Sequence, residues 1–422
     1  MLGSYLLGFA LQGAYFIVLA RCLGASQYGL FAGALAIALV LSTLSGIGAG
    51  SVLVMRSSRN IREFAAQLGT ALTYISLSFP VLAGIAFLVS HGATGGLISV
   101  LLPLLVSELF FTRILDLGYQ SFQARDLLKW TALFNALAGF ARLIGVITFA
   151  LLSLNSVLLW GWVYAAINAT LGTVVILVVF KRLGRPVMDV ESLCSTWRTG
   201  AFFAVGMSSR TVYADADKYL LNYFGFQQDA GIYAAGSRLV NFAFAPIQAL
   251  VYSRNSALFR VGIDGYIATW RLIRRIPFAV VLYGAIAGVA LYFVSPLVPI
   301  LLGESFSETS EILKMLAPVI LLQGIHYLFG DALMGIGRQD IRSAAQLGVA
   351  LIAVFLNIVL IPAMGWHGAI CATIISSLTL AFVMVGCFIY GYRAEARGAS
   401  GGEAGRGRGR NRQEGVCKVE RS

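Results

Sequence analysis

The chain has 422 residues, of which 58% are hydrophobic and only 12% are charged, and its mean hydropathy is +0.82. An ordinary soluble domain carries about 25% charged residues, so this composition excludes a soluble fold and predicts a membrane protein. The net charge of +12 would also suit a nucleic-acid-binding protein. Membrane proteins reach the same balance by placing Lys and Arg in cytoplasmic loops, and we expect no nucleic-acid partner.

Twelve apolar runs are each long enough to cross a bilayer, which takes about 20 residues. The runs cover residues 2–20, 30–54, 68–90, 97–119, 130–152, 156–180, 199–221, 230–252, 276–302, 311–335, 341–363 and 366–392. The sequence therefore predicts an all-α polytopic membrane protein with about 12 transmembrane helices.

Basic residues are concentrated in every second loop between these runs. The loops after even-numbered runs hold sixteen Lys and Arg residues, whereas the loops after odd-numbered runs hold one, Arg21. Because Lys and Arg collect in cytoplasmic loops, the even-numbered loops and both chain termini are predicted to be cytoplasmic.

Two separated matches divide the chain into similar halves. Residues 23–32 resemble residues 224–234, with Gly24 and Gly225 201 positions apart, and residues 161–165 resemble residues 365–369 at an offset of 204. Six helices per half is an even number, so both halves enter the membrane in the same sense. This is the parallel repeat of some transporters, in which the substrate site lies between the halves.

The repeat and the polar stretches predict four segments. They are an N-terminal six-helix lobe at 1–180, a cytoplasmic linker at 181–198, a C-terminal six-helix lobe at 199–392 and a basic cytoplasmic tail at 393–422. The tail is rich in Gly and Arg and poor in apolar residues, a composition typical of disorder.

Several ionisable side chains fall inside the predicted spans. Each costs roughly 2.5–3.5 kcal/mol there and usually faces a cavity or a partner. Some have simple structural explanations. Arg113 can pair with Asp116 three residues later, Lys218 can extend to the outer surface, and His326 suits a packed helix.

The remaining charges predict a polar cavity of cationic character between the halves. A planar guanidinium group binds two phosphate oxygens at once, and the candidates for holding a pyrophosphate are Arg113, Arg142, Arg210 and Arg238. The candidates for coupling transport to a proton or another cation are Glu108, Asp215 and Asp217. Arg210 and Asp217 are seven residues apart, which places them on one helix face.

Sequence signatures of enzymes and metal sites are absent. The chain has no phosphate-binding G-x-x-x-x-G-K-[ST] loop and no H-E-x-x-H motif, and its five cysteines are widely spaced without a C-x-x-C pair. The outward loops, about ten residues or fewer, leave no room for a catalytic domain outside the bilayer. We expect neither catalytic residues nor a metal or other cofactor.

Three segments carry a resemblance to a known family. Residues 20–31, ARCLGASQYGLF, resemble the A-R-x-L-G-x-x-x-Y-G-x-[FY] signature of bacterial polysaccharide-export flippases. Asp217-Lys218 followed by residues 231–235, GIYAA, is similar to the D-[KR] and G-x-Y-x-x-A stretch of that family. Residues 361–369, IPAMGWHGA, are similar to its I-P-x-x-G-x-x-G-A turn.

This resemblance, which covers residues 1–392, implies membership of the multidrug, oligosaccharidyl-lipid and polysaccharide exporter superfamily. It implies a V-shaped bundle of two six-helix lobes that works by alternating access in the bacterial inner membrane. The implied substrate is an undecaprenyl-pyrophosphate-linked oligosaccharide for a cell-surface polysaccharide such as lipopolysaccharide O-antigen. Membrane lipids, a polysaccharide polymerase and other export machinery are the implied partners.

Two other classes of function remain open at this stage. A multidrug/cation antiporter of the same superfamily would favour a cavity lined by carboxylates and poor in Arg. The charged side chains inside the predicted spans of this chain are instead six basic and five acidic residues. A structural or partner-binding membrane protein would leave the repeat and the mid-membrane arginines without an explanation.

Overall fold

The computed structural model describes residues 2–58, 60–93 and 96–416. The helices of the first half are α1 (Leu2–Ser42), α2 (Ala49–Ser57), α3 (Phe64–Val89), α4 (Leu97–Leu105), α5 (Thr112–Gln123), α6 (Leu128–Leu151) and α7 (Val157–Arg182). A π-helical turn, Val106–Phe111, joins α4 to α5, and 3₁₀ turns lie at Ser45–Gly48 and Ile61–Glu63.

The second half begins with a long helix, α8, and contains nine helices in the described residues. They are α8 (Val190–Tyr223), α9 (Gln227–Val261), α10 (Tyr266–Ile273), α11 (Ile276–Val294), α12 (Val298–Leu302), α13 (Thr309–Leu316), α14 (Val319–Gly335), α15 (Gln339–Met364) and α16 (Trp366–Val416). Helices satisfy every backbone group within one segment, which the bilayer core demands. The all-α fold with two lobes agrees with the prediction from sequence.

Helix α1 folds back on itself at Gly24. The backbone there has φ 69° and ψ 171°, a conformation that glycine adopts without a steric penalty. Phe16 and Tyr28 would lie about 18 Å apart along a straight helix, yet their ring centroids are 5.8 Å apart. The matching turn of the second half has Gly225 with φ 90°, so the sequence repeat is also a repeat of backbone geometry.

The number of spans differs from the twelve that the sequence predicts. Within the described part of the chain, eight helices are long and apolar enough to cross a membrane, or nine if the bent pair Glu304–Leu316 and Val319–Gly335 is one span. This count treats α1 as one helix despite the fold at Gly24. Helices α8 and α9, which carry several charged side chains, are not among the eight. The predicted count is therefore not confirmed.

The two halves meet through glycines of the repeated segments. A Cβ atom at Gly29 would overlap the backbone carbonyl oxygen of Gln227, and one at Gly231 would overlap that of Ala25. The Asn222 side chain donates a hydrogen bond of 2.8 Å to the carbonyl oxygen of Gly29. Only residues without a side chain permit so close an approach, and the contact joins the halves at the Gly24 end of the molecule.

The buried hydrophobic residues form two clusters, one shared by the halves and one confined to the first half. One buried cluster crosses between the halves and includes Phe16, Tyr28 and Phe31 of α1 with Ile232 and Tyr233 of α9. A second cluster lies within the first half and contains residues such as Leu53, Phe122 and Val179 from the opposite end of its helices. The shared core therefore lies at the Gly24 end, and part of the first half has a core of its own away from it.

Many large apolar side chains on the outer surface are exposed. Leu88, Leu151, Phe293 and Phe382 have 77%, 80%, 74% and 70% of their surface exposed. A contiguous apolar surface of this kind is incompatible with water as the only solvent, and it is what a lipid-facing helix bundle requires.

Both predicted boundaries of the second lobe fall inside helices. Helix α8 begins at Val190, within the predicted linker 181–198, and its first turns pack on the first half, where Thr196 bonds to Gln67 at 3.2 Å. Helix α16 continues past residue 392 to Val416. Residues 417–422 of the predicted disordered tail lie outside the described residues, and the four-segment division stays a prediction.

The glycine contact between the halves gives a test of this packing. Replacing Gly29 by Val adds a Cβ that overlaps backbone atoms of Gln227, which cannot move aside cheaply. We expect a loss of about 1–3 kcal/mol, the usual cost of overpacking, measured as a lower Tm of the purified protein in lipid nanodiscs. Gly84→Val in α3 is the control, since no atom lies within 4 Å of its Cβ position. An equal Tm for the two variants would contradict the packing described.

Candidate functional site

A cavity of about 1200 Å³ lies between the halves. Helix α1 forms one wall with residues such as Tyr28 and Phe31, and helices α8 and α9 form the other with Arg210, Lys218 and Arg238. We call it the interlobe cavity. A second cavity of about 1000 Å³ lies within the second half among α8, α9, α14, α15 and α16, and we call it the C-lobe cavity.

Arg238 is held in the interlobe cavity by aromatic residues. Its guanidinium group donates to the Tyr28 hydroxyl at 3.4 Å and lies 5.5 Å from the centre of the Phe16 ring. Among the described residues it forms no salt bridge. Cation–π contact compensates for part of the lost hydration, and the guanidinium group retains its capacity to bind an anion.

Arg210 lies where the two cavities meet, since it lines both. Its guanidinium group donates a hydrogen bond to the Tyr327 hydroxyl and lies 5.2 Å from the centre of that ring. It also forms no salt bridge in the described part of the chain. Arg210 and Asp217 both line the C-lobe cavity, as expected from their spacing.

Lys218 departs from the sequence expectation. Its side chain is only 12% exposed, and the ammonium group pairs with Asp215 at 2.9 Å and with Asp217 at 3.3 Å. The expectation that it extends to the outer surface was wrong, because two carboxylates on its own helix supply a closer partner than water. The Tyr233 hydroxyl donates to the other oxygen of Asp217 and lies 2.8 Å from the Thr373 hydroxyl.

Glu108 belongs to a separate polar cluster in the first half. It lies in the π-helical turn between α4 and α5, is 2% exposed, and accepts hydrogen bonds from Tyr164 at 2.9 Å and Thr112 at 3.4 Å. Wide helical turns of this kind are frequent at functional sites. Arg142 and Arg113 are close enough to interact electrostatically with the carboxylate.

Arg142 and Arg113 are each tied to neighbours in this cluster. Arg142 donates two hydrogen bonds, of 2.8 and 3.3 Å, to the side-chain oxygen of Asn168. Arg113 pairs with Asp116 at 3.5 Å, which confirms the pairing expected from sequence, and donates to the Ser42 hydroxyl at 3.1 Å. Neither arginine lines the two cavities, so the structure does not bring the four candidate arginines into one site.

Tyrosines that the sequence reasoning missed connect the clusters. Tyr15 is buried, its hydroxyl has no hydrogen-bond partner among the described residues, and it interacts electrostatically with both Arg142 and Arg238. A buried Tyr usually finds a partner for its hydroxyl. A Tyr in the middle of an apolar span is therefore the signal that could have marked this position.

No group of three or more His, Cys, Asp or Glu side chains suited to a metal ion occurs in the part of the chain that the structure describes.

No family model and no curated protein matches the sequence, but solved structures do match the fold. The chain is similar to the lipid II flippase MurJ in an inward closed conformation, with 15% identity, a TM-score of 0.71, and coverage of 91% of this chain and 87% of that one. It is similar to an inward-facing multidrug resistance MATE family transporter of the MOP superfamily, with 15% identity, a TM-score of 0.70, and coverage of 94% and 95%.

A third solved structure matches the fold with a lower TM-score. An outward-facing MATE family transporter of the MOP superfamily matches with 13% identity, a TM-score of 0.58, and coverage of 92% and 94%. The chain has the two-lobed fold of the MOP superfamily transporters.

The Lys218 ion pairs lead to a prediction about stability. Lys218→Met leaves Asp217, which is 7% exposed, without its cation, and breaking a buried pair in this way costs about 3–5 kcal/mol. We expect a large drop in Tm, measured on purified protein in nanodiscs. The double variant Lys218→Met/Asp217→Asn removes one stranded charge and should recover part of the loss. A double variant no more stable than Lys218→Met would contradict the pairing as its cause.

Proposed function

We propose that this protein is a flippase that moves an undecaprenyl-pyrophosphate-linked oligosaccharide across the bacterial inner membrane by alternating access, for the synthesis of a cell-surface polysaccharide. The observation that carries the proposal is the pair of guanidinium groups, Arg210 and Arg238, that line the interlobe cavity without a salt bridge in the described residues.

The charge of the cavity supports an anionic substrate. Its lining holds the cations Arg210, Lys218 and Arg238 against one carboxylate, Asp215, and Lys218 is already paired. A charge inside a membrane protein is costly unless it is paired, and a pyrophosphate supplies the missing negative charge. Arg binds phosphate oxygens bidentately and stays charged in any environment.

The proposed mechanism uses these residues for binding and the lobes for movement. The pyrophosphate enters from the cytoplasm while the halves are in contact at the Gly24 end, and Arg210 and Arg238 hold it in the interlobe cavity. The lobes then separate at that end and close at the other, and the sugar leaves on the outer side while the lipid tail stays in the bilayer. No covalent bond is made or broken, so the protein is not an enzyme in this proposal.

Three carboxylates inside the predicted spans are the proposed sites at which an ion gradient drives transport in one direction. Glu108 in the first half and Asp215 and Asp217 in the second are the candidates for binding a proton or another cation during the cycle. In this proposal Arg142, which interacts electrostatically with Tyr15 as Arg238 does, acts on the pyrophosphate from a distance. Arg113 remains a candidate from the sequence alone. A polysaccharide polymerase that consumes the exported sugar would also supply direction.

In this proposal the protein is a multi-pass protein of the bacterial inner membrane with both termini in the cytoplasm. The orientation rests on the distribution of Lys and Arg among the loops, where sixteen lie on one side and one on the other.

A multidrug/cation antiporter is the second candidate function. It is favoured by the buried carboxylates, and the inward-facing multidrug transporter matches this fold with a TM-score of 0.70, against 0.71 for the lipid II flippase. In an antiporter, Glu108 and Asp217 would bind the cations, and the two unpaired guanidinium groups would repel a cationic drug.

Transfer of a fluorescent undecaprenyl-pyrophosphate oligosaccharide across proteoliposomes tests the proposal. Arg210→Ala and Arg238→Ala should each lower the transfer rate about 10-fold or more, because a hydrogen bond to a charged group contributes about 1.5–3 kcal/mol. Arg238→Lys keeps the charge and should lose less than Arg238→Ala. The exposed Arg338 provides the control, and Arg338→Ala should transfer the lipid at the normal rate.

The same vesicles distinguish the two candidate functions. Efflux of a cationic dye without lipid transfer would reject the flippase and assign the carboxylates to an antiporter. Lipid transfer that is indifferent to both Arg→Ala variants would reject the proposed anion site, provided that the protein level in the vesicles is unchanged.

A further inference from the structure

The C-lobe cavity has no role in the mechanism so far. It is continuous with the interlobe cavity, because six residues line both, among them Arg210, Asn241 and Tyr327. A group that follows the pyrophosphate past Arg210 therefore enters this cavity.

Aromatic rings form much of its wall. Tyr213, Tyr233, Phe244, His326 and Tyr327 all line it. The three tyrosine hydroxyls already have partners in Ser377, Asp217 and Arg210. Their ring faces rather than their hydroxyl groups are thus available to a ligand.

Open hydrogen-bonding capacity comes from one helix, α14. The Nε2 atom of His326, which is 5% exposed, and the Oε1 atom of Gln323 are buried and have no partner among the described residues. The two residues are three apart, which places them on one face, and both line the cavity. A buried polar atom left unpaired costs about 1–3 kcal/mol, so a ligand with hydroxyl groups would gain by pairing them.

The interior of the cavity offers no spare charge. Arg342 pairs with Asp331 at 2.8 Å, and Lys218 pairs with Asp215 and Asp217. Only Arg210, at the junction with the interlobe cavity, lacks a salt bridge among the charged residues described as lining it. The chemistry favours an uncharged group rich in hydroxyls, with an anionic group beside it at Arg210.

We propose that the C-lobe cavity binds the uncharged sugar residues of the lipid-linked substrate, with Gln323 and His326 as specificity-determining residues that hydrogen-bond the sugar hydroxyls. This inference rests on the proposed flippase function and assigns the pyrophosphate to Arg210 and the saccharide to the aromatic cavity behind it.

The test compares three fluorescent undecaprenyl-pyrophosphate probes in proteoliposomes: one with N,N′-diacetylchitobiose, one with a disaccharide that ends in a uronic acid, and one without sugar. The variants Gln323→Met and His326→Phe remove the polar atoms at nearly constant volume. Each should slow transfer of the chitobiose probe about 3- to 10-fold, as the loss of a neutral hydrogen bond implies, and leave the sugar-free probe unchanged. The controls are Gln339→Met and His367→Phe, since both residues are exposed and line neither cavity.

Each of the other outcomes rejects one part of the proposal. Equal slowing of all probes by the two variants would make α14 a structural element and reject the sugar site, as would no slowing at all. Faster transfer of the uronic-acid probe than of the chitobiose probe would reject the uncharged class. If the wild-type protein moves no probe, the flippase function fails. Calorimetric titration of the purified protein with free chitobiose then tests the cavity alone, where equal binding by the wild type and His326→Phe, or none, rejects the sugar site.

Discussion

A charge that leaves water for the interior of a membrane protein must find a partner, and this constraint organises the polar part of the structure. Lys218 lies between two carboxylates, Arg342 pairs with Asp331, and Arg142 is bound by the Asn168 amide oxygen. Arg210 and Arg238 depart from this pattern, because tyrosine hydroxyls and aromatic rings are the partners that the described residues give them. These two guanidinium groups face the space between the lobes, and Arg210 is exposed there, so both can contact a molecule that enters it. The distribution of paired and unpaired charge is the structural basis of the anion site proposed above.

The contact between the lobes satisfies the same constraint in a different way. Each of the four salt bridges in the described residues joins two side chains of the same half. The halves are instead joined by glycine backbones in close contact and by neutral hydrogen bonds, such as those from Asn222 to Gly29 and from the backbone of Ala25 to Ser305. Two arginines also cross between the halves: Arg238 contacts Tyr28 and Phe16, and Arg21 donates to the carbonyl oxygen of Ile300. Separation of this surface breaks no salt bridge among the described residues, although it does remove the contacts that Arg21 and Arg238 make with the opposite half.

The sequence predicted the features that depend on local pattern. Apolar run length gave the helical membrane fold, the repeated Gly24 and Gly225 turns marked the two halves, and i,i+3 spacing gave the Arg113–Asp116 pair. The features that depend on packing between helices were out of reach. Spacing along α8 shows that Lys218 can reach Asp215, but not that the packing of neighbouring helices leaves the Lys218 side chain only 12% exposed. The tyrosine partners of Arg210 and Arg238 lie more than 100 residues away in sequence, and no periodicity connects them.

The site of the carboxylates bears on which substrate the fold is suited to move. A cationic drug would need a carboxylate that faces the cavity with its charge available. Asp217 is covered by Lys218 and Tyr233, and Glu108 is 2% exposed and bound by Tyr164. Either group would have to lose a hydrogen bond or an ion pair before it could bind a cation, at a cost of about 1–3 kcal/mol for each polar group left unpaired. Arg238 needs no such rearrangement to bind an anion, since its only described hydrogen bond is the one of 3.4 Å to Tyr28. This asymmetry is the structural reason for preferring an anionic head group to a cation in the proposed function.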